Sequence, residues 1–497
     1  MTQQVTRRVF LGSALAGLGA GYVAAATPPA SSLRPELRPA DLYKLGAKSA
    51  EAIIREHQLD ADFAFAVADT KTGEWLECLN EHQGTPPASV TKAITALYAL
   101  DTLGPDHRFE TRLLTTGGIR NGVIQGDLIL SGGGDPTLDT NALGQMAANL
   151  KAAGIIGVKG QFIVHDGALP RLREIDPMQP DQVGYNPAIS GIALNFNRVH
   201  FEWKRNGADY RVTMDARSNK YRPDVAMAVM KVRERRAPIY TYEDRDGKDY
   251  WTVARGALGN GGARWLPVRR PALYAGEVFA TLAGAQGIRL RRPKVSRTLT
   301  DATTLVTQQS DPLIDILQGM LRYSTNITAE MVGLAATQKR IGPVVSLKAS
   351  AAEMNTWAST ALGMSAAGLV DHSGLGDDSR LTALDMARAL VAAKDSRLRG
   401  ILKPFLMRNA KSEPMKDHPI KVDAKTGTLN FVSSLAGYMT AKNGREMVFA
   451  IFTANQDIRA GISREDRERP QGARTWNRKA KKVQQALIER WALLYDF

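Results

Sequence analysis

The chain has 497 residues, 44% hydrophobic and 23% charged, a balance that fits a water-soluble protein of roughly two to four lobes and excludes a largely disordered one. Lysine and arginine (65) outnumber aspartate and glutamate (50) for a net charge of +15. The basic residues are scattered and come with no zinc-finger, RNP or basic-zipper pattern, so the expected polyanion is a wall or membrane surface rather than nucleic acid.

Cys78 is the only cysteine, which excludes an internal disulfide and a thiolate cluster. The seven histidines show no HExxH or HxH spacing, so no metal and no other cofactor is expected.

Arg7 and Arg8 precede an uncharged run over 9–26 that ends in Ala24-Ala25-Ala26, the pattern of a cleavable export signal at 1–26. Thr6-Arg7-Arg8-Val9-Phe10-Leu11-Gly12 has the form of a twin-arginine signal, so a periplasmic location is expected. No internal stretch approaches the roughly 20 apolar residues of a membrane span.

Residues 41–57 have helical periodicity, with Leu42, Leu45, Ala52, Ile53 and Ile54 on one face. Residues 63–68 and 74–79 read as strands joined by a turn at 69–73, with Cys78 as a small buried thiol. Ser89 then opens a helix in which Val90, Ala93, Ile94, Ala96, Leu97 and Leu100 spread around most of the circumference, so the helix is expected to be buried.

The region 104–305 has another texture, with short strands, glycine-rich turns at 117–126 and 256–262, and a charged patch at 231–236. It reads as an insertion of one or two lobes. Helices follow at 312–323, 329–339, 346–362 and 383–394, then strands at 434–440 and 446–454 around an Asn443-Gly444 turn. The polar run 464–474 reads as a solvated loop, and a last helix spans 482–494. Strands at both ends with helices between them point to one α/β domain built from the two chain termini.

Three motifs carry the chemistry: Ser89-Val90-Thr91-Lys92, Ser324-Thr325-Asn326 and Lys425-Thr426-Gly427-Thr428. Ser89 is the only serine with a lysine three residues later, and positions i and i+3 share a helix face, so the Lys92 amine can meet the Ser89 hydroxyl. Burial and a second cation, for which Lys425 is the candidate, lower a lysine's pKa enough for it to take the serine proton. Ser324 and Asn326 follow an apolar helix, where a loop can aim a proton-passing hydroxyl and a backbone-reading amide into a cleft.

Lys425, Thr426 and Thr428 on a strand offer a cation and two hydroxyls to a terminal carboxylate, and Gly427 permits close approach. The N–H groups of Ser89 and Thr428 are the candidate oxyanion hole. A second KTG, Lys71-Thr72-Gly73, has hairpin-turn composition and is set aside as a decoy.

Together these motifs resemble those of the serine penicillin-recognising enzymes. ASVTK, GDLILSGGGDPTL (126–138), YNPAISGIALNFN (185–197), LVDHSGLGDDSRLTA (369–383) and KTGTLNFVSSLAGY (425–438) look like the D-alanyl-D-alanine carboxypeptidase/endopeptidase class of low-molecular-mass penicillin-binding proteins. The resemblance implies an α/β (α+β) transpeptidase fold of the penicillin-binding-protein and serine β-lactamase type, with an antiparallel sheet flanked by helices.

In that class two further domains interrupt the catalytic domain, and the 235-residue separation of Ser89 and Ser324 agrees. The expected division is 33–105 with 306–497 as the peptidase domain, 106–136 with 215–305 as inserted domain II, and 137–214 as nested domain III.

By resemblance Ser89 is the acylated nucleophile and Lys92 its base. Ser324 and Asn326 shuttle protons and orient substrate, and Lys425, Thr426, Gly427 and Thr428 bind the carboxylate and oxyanion. Asp371, His372, Ser373, Gly374 and Leu375 match a loop flanking the site, with His372 where the class usually has a small residue. Thr325 replaces the commoner Asp or Asn of the second motif.

The implied substrates are peptidoglycan stem peptides and cross-links, and the implied covalent inhibitors are β-lactam antibiotics. A β-lactamase would share the motifs, but the long insertion and the lack of ExxLN after Ser89 are unlike that family. The intact triad weighs against a non-catalytic wall-binding scaffold.

Overall fold

Small and branched apolar residues alternate in the first strand in a way that sets the architecture. Ala64, Ala66 and Ala68 face one layer of helices, while Phe63, Phe65 and Val67 face another. A strand covered on both sides is buried along nearly its whole length.

The computed structural model describes Lys44, residues 46–409 and residues 411–495; the export signal read at 1–26 lies outside them. Helix α1 (Ala50–Glu56) is capped by the Ser49 hydroxyl accepting the Ala52 N–H; of the helix expected at 41–57, residues 46–49 are not helical and 41–43 and 45 lie outside the described residues. Strands β1 (Asp62–Asp69) and β2 (Trp75–Leu79) follow, joined by the decoy KTG as a turn, in which Asp69 accepts the N–H groups of Lys71 and Thr72. Cys78 is half-buried rather than fully enclosed, and burial together with Glu81 pushes its thiol up to about 11.

Helix α2 (Thr91–Leu103) carries the first motif, and every residue from Thr91 to Ala99 is buried. The C-terminal half supplies α3 (Leu313–Tyr323), α4 (Asn326–Ile341), α5 (Leu347–Leu362) and α6 (Ala383–Ala392). Strands β3 (Lys403–Pro404), β4 (Lys421–Leu429), β5 (Val432–Thr440) and β6 (Glu446–Ala454) follow, and α7 (Ala473–Leu494) closes the chain.

The six strands form one sheet in the order β3-β4-β5-β6-β1-β2, with every pair antiparallel. The first strand therefore docks on the last, Asp62 opposite Ala454 through Asp69 opposite Met447. One face packs on α2, α3, α5 and α6 through residues such as Leu97, Leu317, Trp357 and Leu390. The other packs on α1 and α7 through Phe65, Phe449, Leu487 and Trp491.

Helix α7 begins nine residues before the expected 482. Ala473, Trp476, Ala480, Val483 and Leu487 fall at helical spacing and are all buried, while Arg474, Arg478 and Lys479 cover the outer face and mask that stripe in the sequence.

Between α2 and α3 the chain builds separate sheets. A five-stranded one runs in the order Lys294–Ser296, Phe162–His165, Leu128–Gly132, Glu110–Thr115 and Thr303–Gln309. Helices Thr140–Ala152 and Pro271–Ala285 pack in the same core, which includes Leu113, Phe162, Trp251 and Phe279. Three three-stranded sheets complete this region among the described residues. No helix among the described residues is long and apolar enough to cross a membrane.

Candidate active site

Ser89 sits in a single 3-10 turn (Ala88–Val90) immediately before α2, so its hydroxyl lies at the amino end of a buried helix. Ala88 has φ +48°. Two glycines allow the surrounding walls to close on this turn. A β-carbon on Gly374 would lie 1.9 Å from the Ala88 carbonyl oxygen, and one on Gly427 would lie 2.7 Å from the Pro87 carbonyl oxygen. Gly427 thus seats β4 directly against the serine turn.

One helical turn on, Lys92 is fully buried, and its Nζ donates to Ser89 Oγ (2.9 Å), Asn326 Oδ1 (2.8 Å) and the Ser373 carbonyl (2.7 Å). Ser324 occupies the left-handed residue (φ +57°) between α3 and α4, and Asn326 begins α4. Asn326 also donates to the Tyr185 carbonyl (3.0 Å), which brings the inserted region to the edge of the site. On the opposite side, Lys425 Nζ donates to Ser324 Oγ (3.1 Å) and to the Thr426 carbonyl (2.7 Å). The three motifs meet in one cluster.

Burial, which disfavours a charged amine, pulls Lys92 below the ordinary lysine range, against the upward pull of Glu330 and Asp371. Lys425 lies well below that range, first through burial and then through the neighbouring Lys92 charge. Burial and Asp371 push the Glu330 carboxyl upward. Glu330 escaped the motif reading, although it stands one turn after Asn326 on α4 within an otherwise apolar stretch. Its two oxygens accept the N–H groups of Ser373 and His372, both at 2.9 Å. It therefore holds the loop whose carbonyl holds Lys92.

The chain matches the D-Ala-D-Ala carboxypeptidase 3 (S13) family over residues 47–471. It belongs to this family of serine peptidases. This S13 carboxypeptidase is 28% identical over 443 residues to the D-alanyl-D-alanine carboxypeptidase of Actinomadura sp. (strain R39), covering 81% of this chain and 79% of that one. Its fold matches penicillin binding protein 4 (dacB) from Haemophilus influenzae with a TM-score of 0.69 at 19% identity, over 82% of this chain and 93% of that one. The same relative complexed with a β-lactam matches with a TM-score of 0.66, at the same identity and coverage. The expected fold and activity class therefore hold, and the β-lactamase and scaffold readings give way.

Not every expected residue of the S13 site faces the cleft. The opening of about 650 Å³ is lined by Ser89, Ser324, Asn326, Gly374, Leu375 and Thr428 among those named from sequence. Thr426 and Thr428 are both exposed and share the face of β4 opposite to Lys425 and Gly427, and of the two Thr428 lines the opening. Asp371 is buried and ties its own loop, accepting the N–H groups of Gly374 and Gly376 at 2.7 Å each. Ser373 contributes its carbonyl to Lys92, while its hydroxyl accepts the Leu375 N–H (3.3 Å).

The run 464–474, read as a solvated loop, is instead one wall of the cleft. Arg467, Glu468, Arg469 and Arg474 line it together with Arg459, and both Arg459 and Arg467 are buried and paired with Asp377. Arg264 (3.2 Å) and Gln182 (2.7 Å) from the inserted region hold Glu468. A string of alternating charges looks solvated in sequence because its partners lie more than 80 residues away.

Proposed function

We propose that this S13 carboxypeptidase works through an acyl-Ser89 intermediate. The neutral Lys92 amine takes the Ser89 proton as Oγ attacks the D-Ala carbonyl, and the Ser89 and Thr428 N–H groups receive the developing oxyanion. Ser324, beside Lys425, passes a proton to the departing D-Ala amine, and Asn326 holds the stem-peptide backbone. Water then attacks the ester and frees the enzyme. Lys425 and Thr428 are the carboxylate-binding groups. The single observation that carries this reading is the unbroken path Ser89–Lys92–Asn326 on one side and Ser324–Lys425 on the other, all at one cleft.

The outer edge of β4 supports an antiparallel substrate pose. β3 covers β4 only at Asp423 and Ala424, so no strand pairs with that edge from Lys425 onward among the described residues. The same pose accepts a D-Ala linked to the next stem peptide, so D,D-endopeptidase action on cross-links is included. Penicillin is expected to acylate Ser89, and the signal at 1–26 to deliver the enzyme to the periplasm.

We also infer that the unit read at 33–105 with 306–497 is the peptidase and the remainder the insert, except that Thr303–Gln309 pairs with Glu110–Thr115 and so goes with the insert. Sheet membership is the natural guide to its inner boundaries, since Leu128–Gly132 pairs with Phe162–His165.

The test is intact-mass and peptide-level mapping of the penicillin adduct, beside mass analysis of products from pentapeptide monomers and D,D-cross-linked dimers. An adduct confined to Ser89 and loss of one D-Ala, or cleavage of the dimer, are expected. A fully active Ser89→Ala enzyme overturns the proposal.

A further inference from the structure

His372 takes no part in the steps above, yet it is fully buried in the loop that floors the site. Its ring lies over Gly333 of α4, where an added β-carbon would fall 2.2 Å from the imidazole Cγ. The glycine leaves the volume that the ring fills. On α5, Ser350 Oγ meets Nε2 at 2.7 Å and Met354 Sδ meets Nδ1 at 3.3 Å. The Tyr98 ring of α2 stacks parallel to it at 6.4 Å.

Ser350 reaches Thr337 Oγ1 (2.7 Å), which also meets the Tyr98 hydroxyl (3.1 Å), so the ring ends a chain of buried hydroxyls. The main chain of the same residue serves the active-site cluster. Its N–H donates to Glu330 (2.9 Å), its carbonyl accepts from Thr95 Oγ1 (2.7 Å), and the next carbonyl holds Lys92.

We propose that His372 is a positioning residue for acyl transfer: its ring, wedged into the space left by Gly333, sets the Ser373 carbonyl and the Glu330 carboxyl against Lys92 and keeps water out of that cluster. The inference rests on Lys92 being the base. Burial alone holds the imidazole down to about 3, so it stays neutral and adds no charge beneath the lysine. The groups facing Lys92 are Ser89 in the turn before its helix, Asn326 and Glu330 on α4, Asp371 and the Ser373 carbonyl on the loop, and Lys425 on β4.

Water entering next to Lys92 would relieve the desolvation that lowers its pKa. The neutral fraction at a given pH then falls, and the acid limb of the acylation rate moves to higher pH. The experiment measures the rate of Ser89 acylation by a fluorescent penicillin against pH, with thermal unfolding alongside, for His372→Gly, His372→Asn, Gly333→Ala and the double variant Gly333→Ala/His372→Gly.

His372→Gly is expected to raise the acid-limb midpoint by about one pH unit, a roughly tenfold rate loss below it. Gly333→Ala alone is expected to slow acylation, whereas in the His372→Gly background the same methyl refills vacated space and restores part of the rate. His372→Asn, which fits the space without the ring, is expected to shift the midpoint in the same direction and serves if His372→Gly does not fold.

A midpoint equal to wild type in the folded His372 variants, with rates reduced equally at every pH, overturns the inference. Wild-type protein that penicillin does not acylate at Ser89 overturns the underlying mechanism instead.

Discussion

Substituting Gly374 by alanine separates the strain of a left-handed residue from the closeness of the two walls around the nucleophile. Gly374 has φ +74° and Gly363, at the end of α5, has φ +68°. Each alanine therefore takes on a similar left-handed cost, about 1 kcal/mol. Nothing lies within 4 Å of a β-carbon at Gly363, so its penalty should stop there.

At Gly374 the new carbon would stand 1.9 Å from the Ala88 oxygen and 2.6 Å from Thr91 Oγ1, while ordinary contact begins at 3.4 Å. The loop and the Ser89 turn must part by about 1.5 Å, an overpacking cost of about 1–3 kcal/mol. The total is about 2–4 kcal/mol for Gly374→Ala against about 1 for Gly363→Ala.

A displacement of that size at the serine should also slow acylation about 100-fold or more, while Gly363→Ala acylates as wild type does. Urea titrations give the stability difference and penicillin labelling gives the rate. Equal stability losses in the two variants, with acylation by Gly374→Ala within about twofold of wild type, would refute the reasoning.

Glu330→Gln removes the anion that pulls Lys92 upward, so the acid limb of acylation should move to lower pH. The altered hydrogen bonds to His372 and Ser373 should cost about 1–3 kcal/mol, read by urea titration. Lys425→Ala should slow acylation about 100-fold or more at every pH, because Ser324 loses its cation and the carboxylate loses its partner; full activity would remove Lys425 from the mechanism. Asp377→Ala leaves the buried Arg459 and Arg467 without their shared anion and should destabilise by about 3 kcal/mol. Its effect on turnover should appear mainly in KM, because the arginines line the cleft rather than touch Ser89.

The legible parts of the site were those that local spacing dictates. Ser89 and Lys92 share a helix face by three-residue spacing, and Lys425 and Gly427 share a strand face by two-residue spacing. The same alternation that aims Lys425 inward turns Thr426 and Thr428 together to the exposed face of the strand. Glu330 was missed because a lone carboxylate on a helix usually faces water, and only the folded loop shows that its partners are the His372 and Ser373 N–H groups.

The same limit hid the Arg467 wall, whose partner Asp377 is 90 residues away. Strand β6 was readable to the residue because its apolar run is long and bounded. In the inserted region, Lys294–Ser296 is only three residues long and owes its strand to parallel pairing with Phe162–His165, which leaves no periodic mark.

The docking of β1 between β6 and β2 has a temporal consequence. A nascent chain carries its serine from residue 89 onward, but the central sheet beneath it stays open until residue 454 has been made. Covalent labelling by an antibiotic would therefore report completed synthesis, and a carboxy-terminal truncation before that strand should leave a polypeptide that β-lactams ignore.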